Sequence, residues 1–150
     1  MLKYIKALWI FKDLGVLLYQ KNDIIEVDDI ILAGIMGALF TAVKSTFSES
    51  VKTITLDNSQ LQLISKKIIR GEEEATVIFM GLYPIKKYTL KIFQLTKEKK
   101  GFRELYAVMK NFFLQYSEDE ILDWDHDARK FDGFLRINSQ DRKDIRLNRT

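Results

Sequence analysis

Alternation of apolar and polar side chains along the chain predicts five β-strands, over residues 4–12, 16–21, 51–56, 60–68 and 75–82. The first and fifth strands carry large apolar groups on both faces, which is typical of central strands that are covered on both sides. A turn at 13–15 joins the first two strands into a hairpin, and Gly15 is available there for a positive φ.

The clearest helix is predicted over residues 30–48, where Asp28 or Asp29 can accept hydrogen bonds from the amides of the first turn. Its large apolar side chains fill an arc of roughly 180°, wider than the ~100° that a surface helix needs. The opposite arc is small instead of charged, with Lys44 as its only charge; it contains Ala33, Gly34, Gly37, Ala38, Thr41, Ser45 and Ser48. Each interior glycine costs roughly 1 kcal/mol in helix propensity, so we expect another backbone to approach this arc.

The second half of the chain predicts helices. Pro84 is suited to the first position of a helix over 85–99, Gly101 interrupts the pattern, and a second helix follows over 102–116. An acidic stretch over 118–127 and a short last helix over 128–137 complete the series. The order ββ-α-βββ-αα predicts an α+β sandwich in one domain over residues 1–137, followed by a polar basic tail over 138–150 that we expect to be flexible.

Composition fits one cytoplasmic domain. The chain has 150 residues, of which 47% are hydrophobic, enough to fill one core. Residues 1–135 carry nineteen basic and nineteen acidic side chains, and residues 136–150 carry five and two, so the net charge of +3 falls in the tail. Nucleic-acid binding is therefore not favoured. The longest uncharged stretch, 30–43, is shorter than the ~20 residues that cross a bilayer.

Reactive side chains are scarce: the chain has no cysteine and one histidine, His126. The run of acids around it, over 123–127, begins like a calcium loop, but the required Gly and Glu positions hold Ala128 and Phe134. One histidine among alternating carboxylates lacks a tetrahedral zinc set. No nucleophile elbow or phosphate-binding loop accompanies it. We expect no catalytic site, no metal and no cofactor.

A basic stretch with aromatic neighbours over 83–100 suggests contact with phosphates or an anionic membrane. Its cations are Lys86, Lys87, Lys91, Lys97, Lys99 and Lys100. The alternative is that these lysines form the solvated face of a helix whose aromatic side chains pack inward.

Several segments together resemble a known family. The stretch DIILAGIMGALF at 29–40 resembles the first helix of longin-type domains, and it follows a hairpin and precedes a strand as that family requires. The segments FFLQY at 112–116, WDHD at 124–127 and FDGF at 131–134 are similar to the C-terminal pattern of longin-like proteins from Asgard archaea. Those proteins commonly have Gly where His126 stands. The resemblance spans about residues 3–137, and the related roadblock fold is its nearest alternative.

The resemblance implies a five-stranded antiparallel sheet with the long helix on one face and the later helices on the other. It also implies a non-enzymatic platform that pairs with other longin or roadblock domains and binds a small GTPase or a membrane-trafficking complex. The small arc suggests where a partner packs, through Ala33, Gly34, Gly37, Ala38, Thr41 and Lys44, unless the chain's own segments cover it. Two alternatives stay open: a small-molecule sensor of the profilin kind, and a peripheral binder of anionic membrane.

Overall fold

A computed structural model describes residues 2–13, 15–22, 28–85, 91–124 and 129–135. The strands are β1 (Ala7–Lys12), β2 (Val16–Asn22), β3 (Thr53–Thr55), β4 (Ser59–Arg70) and β5 (Glu73–Pro84). The helices are α1 (Asp29–Phe47), α2 (Lys91–Gln115) and α3 (Glu118–Leu122). All five predicted strands are present, although β1 and β3 are shorter than predicted and β4 and β5 are longer.

The strands form one antiparallel sheet in the order β2-β1-β5-β4-β3. β1 and β5 are inner strands, as their two apolar faces predict. β4 and β5 are joined by a tight turn at Gly71, which adopts a φ of +62°. Glycine has no Cβ to oppose this left-handed conformation, so the hairpin can reverse at that residue.

Successive side chains of a strand point to opposite faces of the sheet, and this alternation produces two cores. On one face α1 covers Trp9, Phe11, Ile78 and Met80. The opposite face packs against α2, α3 and the segment that follows them, and its core includes Leu8, Ile10, Phe79, Leu105, Val108, Phe112, Ile121, Phe131 and Phe134. The α+β arrangement that the longin resemblance implies is confirmed.

The prediction for residues 84–116 was wrong in two respects. Pro84 ends β5 and does not begin a helix, and α2 continues through Gly101 where an interruption was predicted. A Cβ on Gly101 would collide with the side-chain amide of Gln62, which is fully buried on β4. The glycine therefore lets the helix approach the sheet closely, and the lost helix propensity is the cost of that contact.

The chain after α2 also differs from the prediction. The stretch expected only to be acidic contains α3, which begins with a capping box in which Ser117 and Glu120 bond each other's backbone amides. In place of a regular helix over 128–137, residues 129–133 form turns, and only 134 and 135 are helical within the described part. Residues 125–128 and the tail over 138–150 lie outside the described residues.

Candidate interaction surface

Helix α1 is capped at both ends. The Asp28 carboxylate accepts hydrogen bonds from the backbone N–H groups of Ile30 (3.0 Å) and Ile31 (3.2 Å), which have no partner within the helix. At the other end Ser48 adopts a left-handed conformation, and its N–H donates to the Lys44 carbonyl. The caps make α1 a helix of defined length, 19 residues.

The side of α1 that faces the sheet is narrow and small. Ala33 and Met36 are buried, and so is Gly37. A Cβ on Gly15, in the turn between β1 and β2, would collide with the Ala33 carbonyl oxygen. Gly15 has a φ of +84°, which favours glycine independently of that contact. The expected close approach of a second backbone thus occurs at Ala33, and the glycine that permits it belongs to the hairpin turn.

The opposite side of α1 is apolar and exposed. Ile31, Ile35 and Leu39 follow one another at a spacing of four residues and are 60%, 59% and 39% exposed. Gly34, Ala38 and Ala42 lie beside them and are exposed as well. We call these six residues the outer face of α1. The outer face contains no charged side chain. α1 therefore exposes to solvent an apolar surface, which an amphipathic helix normally buries against the core.

The structure divides the predicted partner interface. Ala33 and Gly37 face the sheet, whereas Gly34, Ala38, Thr41 and Lys44 are exposed. Thr41 and Lys44 line a groove of about 380 Å³ together with Asp13, Ser45 and Thr76. The predicted partner interface did not include the large side chains of the outer face. The sequence does contain evidence for their exposure, namely the apolar arc of roughly 180°. A sheet covers only about 100° of a helix, so the remaining apolar side chains must face solvent or a partner.

The basic set is only partly described. Lys86 and Lys87 lie outside the described residues, and Lys91 begins α2 without a described side chain. Lys100 places its Nζ 5.6 Å from the ring centroid of Tyr4, Lys99 is exposed, and Lys97 is half-buried. The aromatic neighbours divide as well: Tyr83 is buried, and its burial raises the pKa of its hydroxyl, whereas Phe93 is exposed.

The acidic run contributes to an ion-pair network. Arg70 on β4 donates hydrogen bonds to Asp119 and Asp123 of the α3 region and to Glu73 on β5. The Arg70 guanidinium holds the pKa of Asp123 below its ordinary value. Within the described ranges no group of three histidine or acidic side chains is placed to hold a metal. The rest of the acidic run, 125–127, is outside the described residues.

The segment Ile30–Phe47 is also long and apolar enough to cross a membrane, by length and composition alone, with a mean hydropathy of 1.7 over 18 residues. Only 17% of this segment is buried. A helix of this length spans about 27 Å, close to the hydrocarbon thickness of a bilayer. In the structure Ala33 and Met36 of this segment pack against the sheet. The high hydropathy of the segment therefore arises because α1 is apolar on its outer face as well as on the side that contacts the sheet.

The five-stranded antiparallel sheet with the long α1 on one face and the later helices on the other is the arrangement that the resemblance to longin-type domains implies. Among solved structures, the chain is similar to Myxococcus xanthus MglB, with 15% sequence identity and a TM-score of 0.43 over 71% of this chain and 84% of that one. No protein-family model matches the sequence, and no curated protein matches it.

Proposed function

We propose that this chain is a non-enzymatic longin-type adaptor of the kind found in Asgard archaea, which pairs through the outer face of α1 and binds a small GTPase or a complex of the membrane-trafficking type. One observation carries the proposal: α1 is apolar on two sides and the sheet covers only one of them. Full burial of an exposed Ile or Leu is worth roughly 1.5–3 kcal/mol, and the large side chains of the outer face, which are 39–60% exposed, would each gain a part of that on being covered, set against the cost of association.

The composition of the outer face suits a partner of the same kind. Gly34 and Ala38 form a shallow path between the larger Ile31, Ile35 and Leu39, into which side chains of a second helix can pack. Because the face is uncharged, a second copy of the chain can approach it without like-charge repulsion. The most direct partner is therefore a second copy or another longin or roadblock domain, in an isologous contact between α1 helices.

Light scattering on the purified chain tests the pairing. Ile35→Asp places a carboxylate at the centre of the outer face, and we expect it to convert a dimer to a monomer because the charge would lose its hydration in the contact. Gly34→Leu is a second test that the fold tolerates, since an added Cβ at Gly34 meets no atom within 4 Å. The matched control is Leu114→Asp, because Leu114 is 76% exposed on α2 and lies away from the outer face.

A dimeric mass that both α1 variants leave unchanged would exclude the outer face as the pairing surface, and a monomeric wild-type chain at high micromolar concentration would exclude pairing itself. Gly37→Leu is unsuitable for this purpose, because Gly37 is buried against the sheet and the variant would disturb the fold.

The GTPase partner is tested by affinity purification from a native lysate followed by mass spectrometry. We expect recovery of a small GTPase or of a second longin or roadblock protein with the wild-type chain. Ile35→Asp should lose the longin or roadblock partner. Repeated recovery of neither class, with nucleotide supplied in both diphosphate and triphosphate forms, would contradict the adaptor function.

The apolar length of Ile30–Phe47 favours one alternative, in which the outer face of α1 lies on a lipid surface. In that case the wild-type chain would sediment with anionic vesicles at low salt, and Ile35→Asp would release it. Lys99 lies on α2, on the opposite face of the sheet, so Lys99→Glu should leave sedimentation through α1 unchanged.

A further inference from the structure

Strand β4 is much longer than its outer neighbour. It pairs with β5 from Ser59 to Arg70, whereas β3 pairs with it only from Gln60 to Gln62. One further bond, from the Leu63 N–H to the Lys52 carbonyl (2.8 Å), closes the ladder on that side. The part of β4 after Leu63 therefore has a strand on one side only, among the residues that the structure describes.

The direction of the Leu63 N–H shows which backbone groups of β4 point away from β5, toward the side that β3 covers only in part. In an antiparallel sheet the N–H and C=O of a residue point to the same side, and successive residues alternate. Ser65, Lys67 and Ile69 therefore point their backbone groups outward, as Leu63 does. Within the described ranges, no backbone hydrogen bond is made by these outward N–H groups. Such a row of donors and acceptors is a template for another strand.

A groove begins where this open edge begins. Its volume is about 430 Å³, and Ser65 lines it, so the edge and the groove are continuous. Its apolar lining comes from three layers of the fold: Phe40 of α1, Val51 before β3, Leu63 and Ile64 of β4, and Phe102 and Tyr106 of α2. Tyr106 is 55% exposed, so part of this lining is open to solvent. A strand added along Ser65–Ile69 would place a side chain at the groove, which is how strand addition acquires sequence preference.

The surroundings of the groove are cationic. Lys52 lines the groove, and Lys99, Arg103 and Lys110 share the face of α2 that carries Phe102 and Tyr106, because they lie three or four residues from one or the other. All four cations are exposed, and none has a carboxylate partner among the described residues. By contrast, Lys66 and Lys67 on the edge itself are paired with Glu118 (3.4 Å) and Glu74 (2.7 Å).

The same charges argue against a second copy of β4 as the occupant. Two copies paired antiparallel about Lys67 would set the Lys67 side chains of the two chains opposite each other, and the exposed ion pair of each lysine with Glu74 offsets that repulsion only weakly. Lysine on an exposed edge is a common protection against such pairing. An acidic peptide avoids this repulsion when its carboxylates lie at the groove end of the edge, close to the cations that have no carboxylate partner among the described residues, because Glu118 and Glu74 are engaged by Lys66 and Lys67.

We propose that the open edge of β4, from Ser65 to Ile69, binds an extended acidic peptide segment of another protein as a sixth strand, with one large apolar side chain of the peptide held in the adjoining groove. Main-chain hydrogen bonds from Ser65, Lys67 and Ile69 hold the peptide, and Lys52 and the cations of α2 select its acidic side chains. The site is separate from the outer face of α1 and does not depend on pairing through that helix.

The probe is a fluorescein-labelled peptide in which valine and glutamate alternate around one central phenylalanine, and binding is followed by fluorescence anisotropy. Ser65→Pro removes an outward N–H without removing a bond within the sheet, and proline is tolerated on an edge in that position. We expect it to weaken binding about tenfold or more. Thr53→Pro is the matched control, because the outward N–H of Thr53 lies on the free edge of β3 instead.

Two changes in the probe test its recognition. N-methylation of alternate amides blocks strand pairing without changing charge, and we expect one of its two registers to abolish binding. Replacing glutamate by lysine tests the cations, and binding should be lost. Amide hydrogen exchange at Ser65, Lys67 and Ile69 should slow when the unmodified probe is present.

Several outcomes would overturn the proposal. It fails if the probe does not bind, if Ser65→Pro binds as well as wild type, or if Thr53→Pro is the variant that loses binding. It also fails if the wild-type chain is a dimer that Ser65→Pro dissociates, since the occupant would then be a second copy. None of these outcomes bears on the α1 variants, so the two proposals can fail independently.

Discussion

Helices α1 and α2 lie on opposite faces of the same sheet. The more hydrophobic helix, α1, leaves large apolar side chains exposed, whereas the more highly charged helix, α2, buries its large apolar side chains. α1 has one charged residue, Lys44, between Ile30 and Phe47, yet the large side chains of its outer face remain in solvent. α2 carries charges along its whole length, yet Leu105, Val108 and Phe112 are almost completely buried. The amount of apolar surface on a helix therefore does not say how firmly it is held.

What holds α2 is the placement of large side chains. Phe112 contacts five other aromatic rings at centroid distances of 5.0 to 5.7 Å, in geometries that favour aromatic pairs. Glu104 adds a polar attachment by accepting hydrogen bonds from the backbone N–H groups of Lys3, Tyr4 and Ile5. By contrast, α1 contacts the sheet through Ala33 and Met36, with Leu32 and Phe40 partly buried beside them, and leaves the large side chains of its outer face in solvent.

The largest expected difference between the two helices comes from truncating one large side chain on each. Phe112→Ala leaves a cavity at the centre of the aromatic cluster and should lower the free energy of unfolding by about 3–5 kcal/mol. Ile35→Ala removes a side chain that is exposed in the single chain, so at protein concentrations low enough to keep the chain monomeric it should change that free energy by less than about 0.5 kcal/mol. Urea denaturation followed by circular dichroism measures both. Equal losses would mean that the outer face of α1 is buried in the chain as it exists in solution.

The contact between α1 and the first hairpin should be the next most sensitive. Gly15→Ala combines a positive φ with a collision against the Ala33 backbone, and should cost at least about 2 kcal/mol in unfolding free energy. Gly71→Ala is the control, because Gly71 also has a positive φ but an added Cβ there meets nothing within 4 Å. Its cost should be about 1 kcal/mol. If the two variants were equally stable, the hairpin turn and α1 would not be in contact.

Alanine in place of the exposed glycine of α1 and of the buried glycine of α2 should act in opposite directions. Gly34→Ala gains helix propensity in open space and should stabilise the chain by about 0.5–1 kcal/mol. Gly101→Ala gains the same propensity but displaces Gln62, whose Nε2 donates to the Gln60 Oε1 (3.1 Å) and to the Glu98 carbonyl (3.2 Å). Losing these buried bonds should leave a net destabilisation of about 1 kcal/mol. Thermal melts of both variants check the two signs.

The smallest effect concerns pH. Because Arg70 lowers the pKa of Asp123 below 3.8 in the folded chain, this carboxylate stabilises the fold above that value. The contribution disappears as the pH falls through the lowered pKa and the carboxylate is protonated. Asp123→Asn should therefore flatten the fall in melting temperature between about pH 5 and about pH 2. The control is Asp57→Asn, on the turn after β3, which should leave the fall in melting temperature unchanged. If Asp57→Asn flattened that fall as much as Asp123→Asn does, the effect of Asp123 could not be attributed to its contact with Arg70.

The sequence predicted the sheet well, because apolar side chains on both faces of β1 and β5 are a local signal of two covered faces. It predicted the existence of α1 from another local signal, the helical periodicity of the apolar residues after the acidic cap. The sequence did not predict which side of α1 meets the sheet. That orientation depends on Gly15, eighteen residues before Ala33, because the missing Cβ lets the Ala33 backbone pack against the hairpin turn. The sequence suggested the small arc as the partner surface, and the structure turns Ala33 and Gly37 of that arc toward the sheet and leaves several large side chains of the other arc exposed.

The continuity of α2 could not be predicted from its own segment either. A glycine within a helical pattern is an interruption by propensity, and only the buried Gln62 on a strand forty residues earlier gives it another purpose. The open edge of β4 is equally non-local. The two strands of the β3–β4 hairpin were predicted over 51–56 and 60–68, and the larger mismatch that leaves one side of Ser65 to Ile69 unpaired becomes visible only in the register of the sheet.

The inner position of β1 also has a consequence for synthesis on the ribosome. β1 is made early, yet its inner neighbour β5 ends about seventy residues later, and the Glu104 carboxylate that holds residues 3–5 later still. At translation rates of about 5–20 residues per second, the first hairpin waits several seconds before the sheet can close. During that interval Leu8 and Ile10 lack the α2 core that later covers them, so the nascent chain offers a binding segment for chaperones that the finished protein conceals.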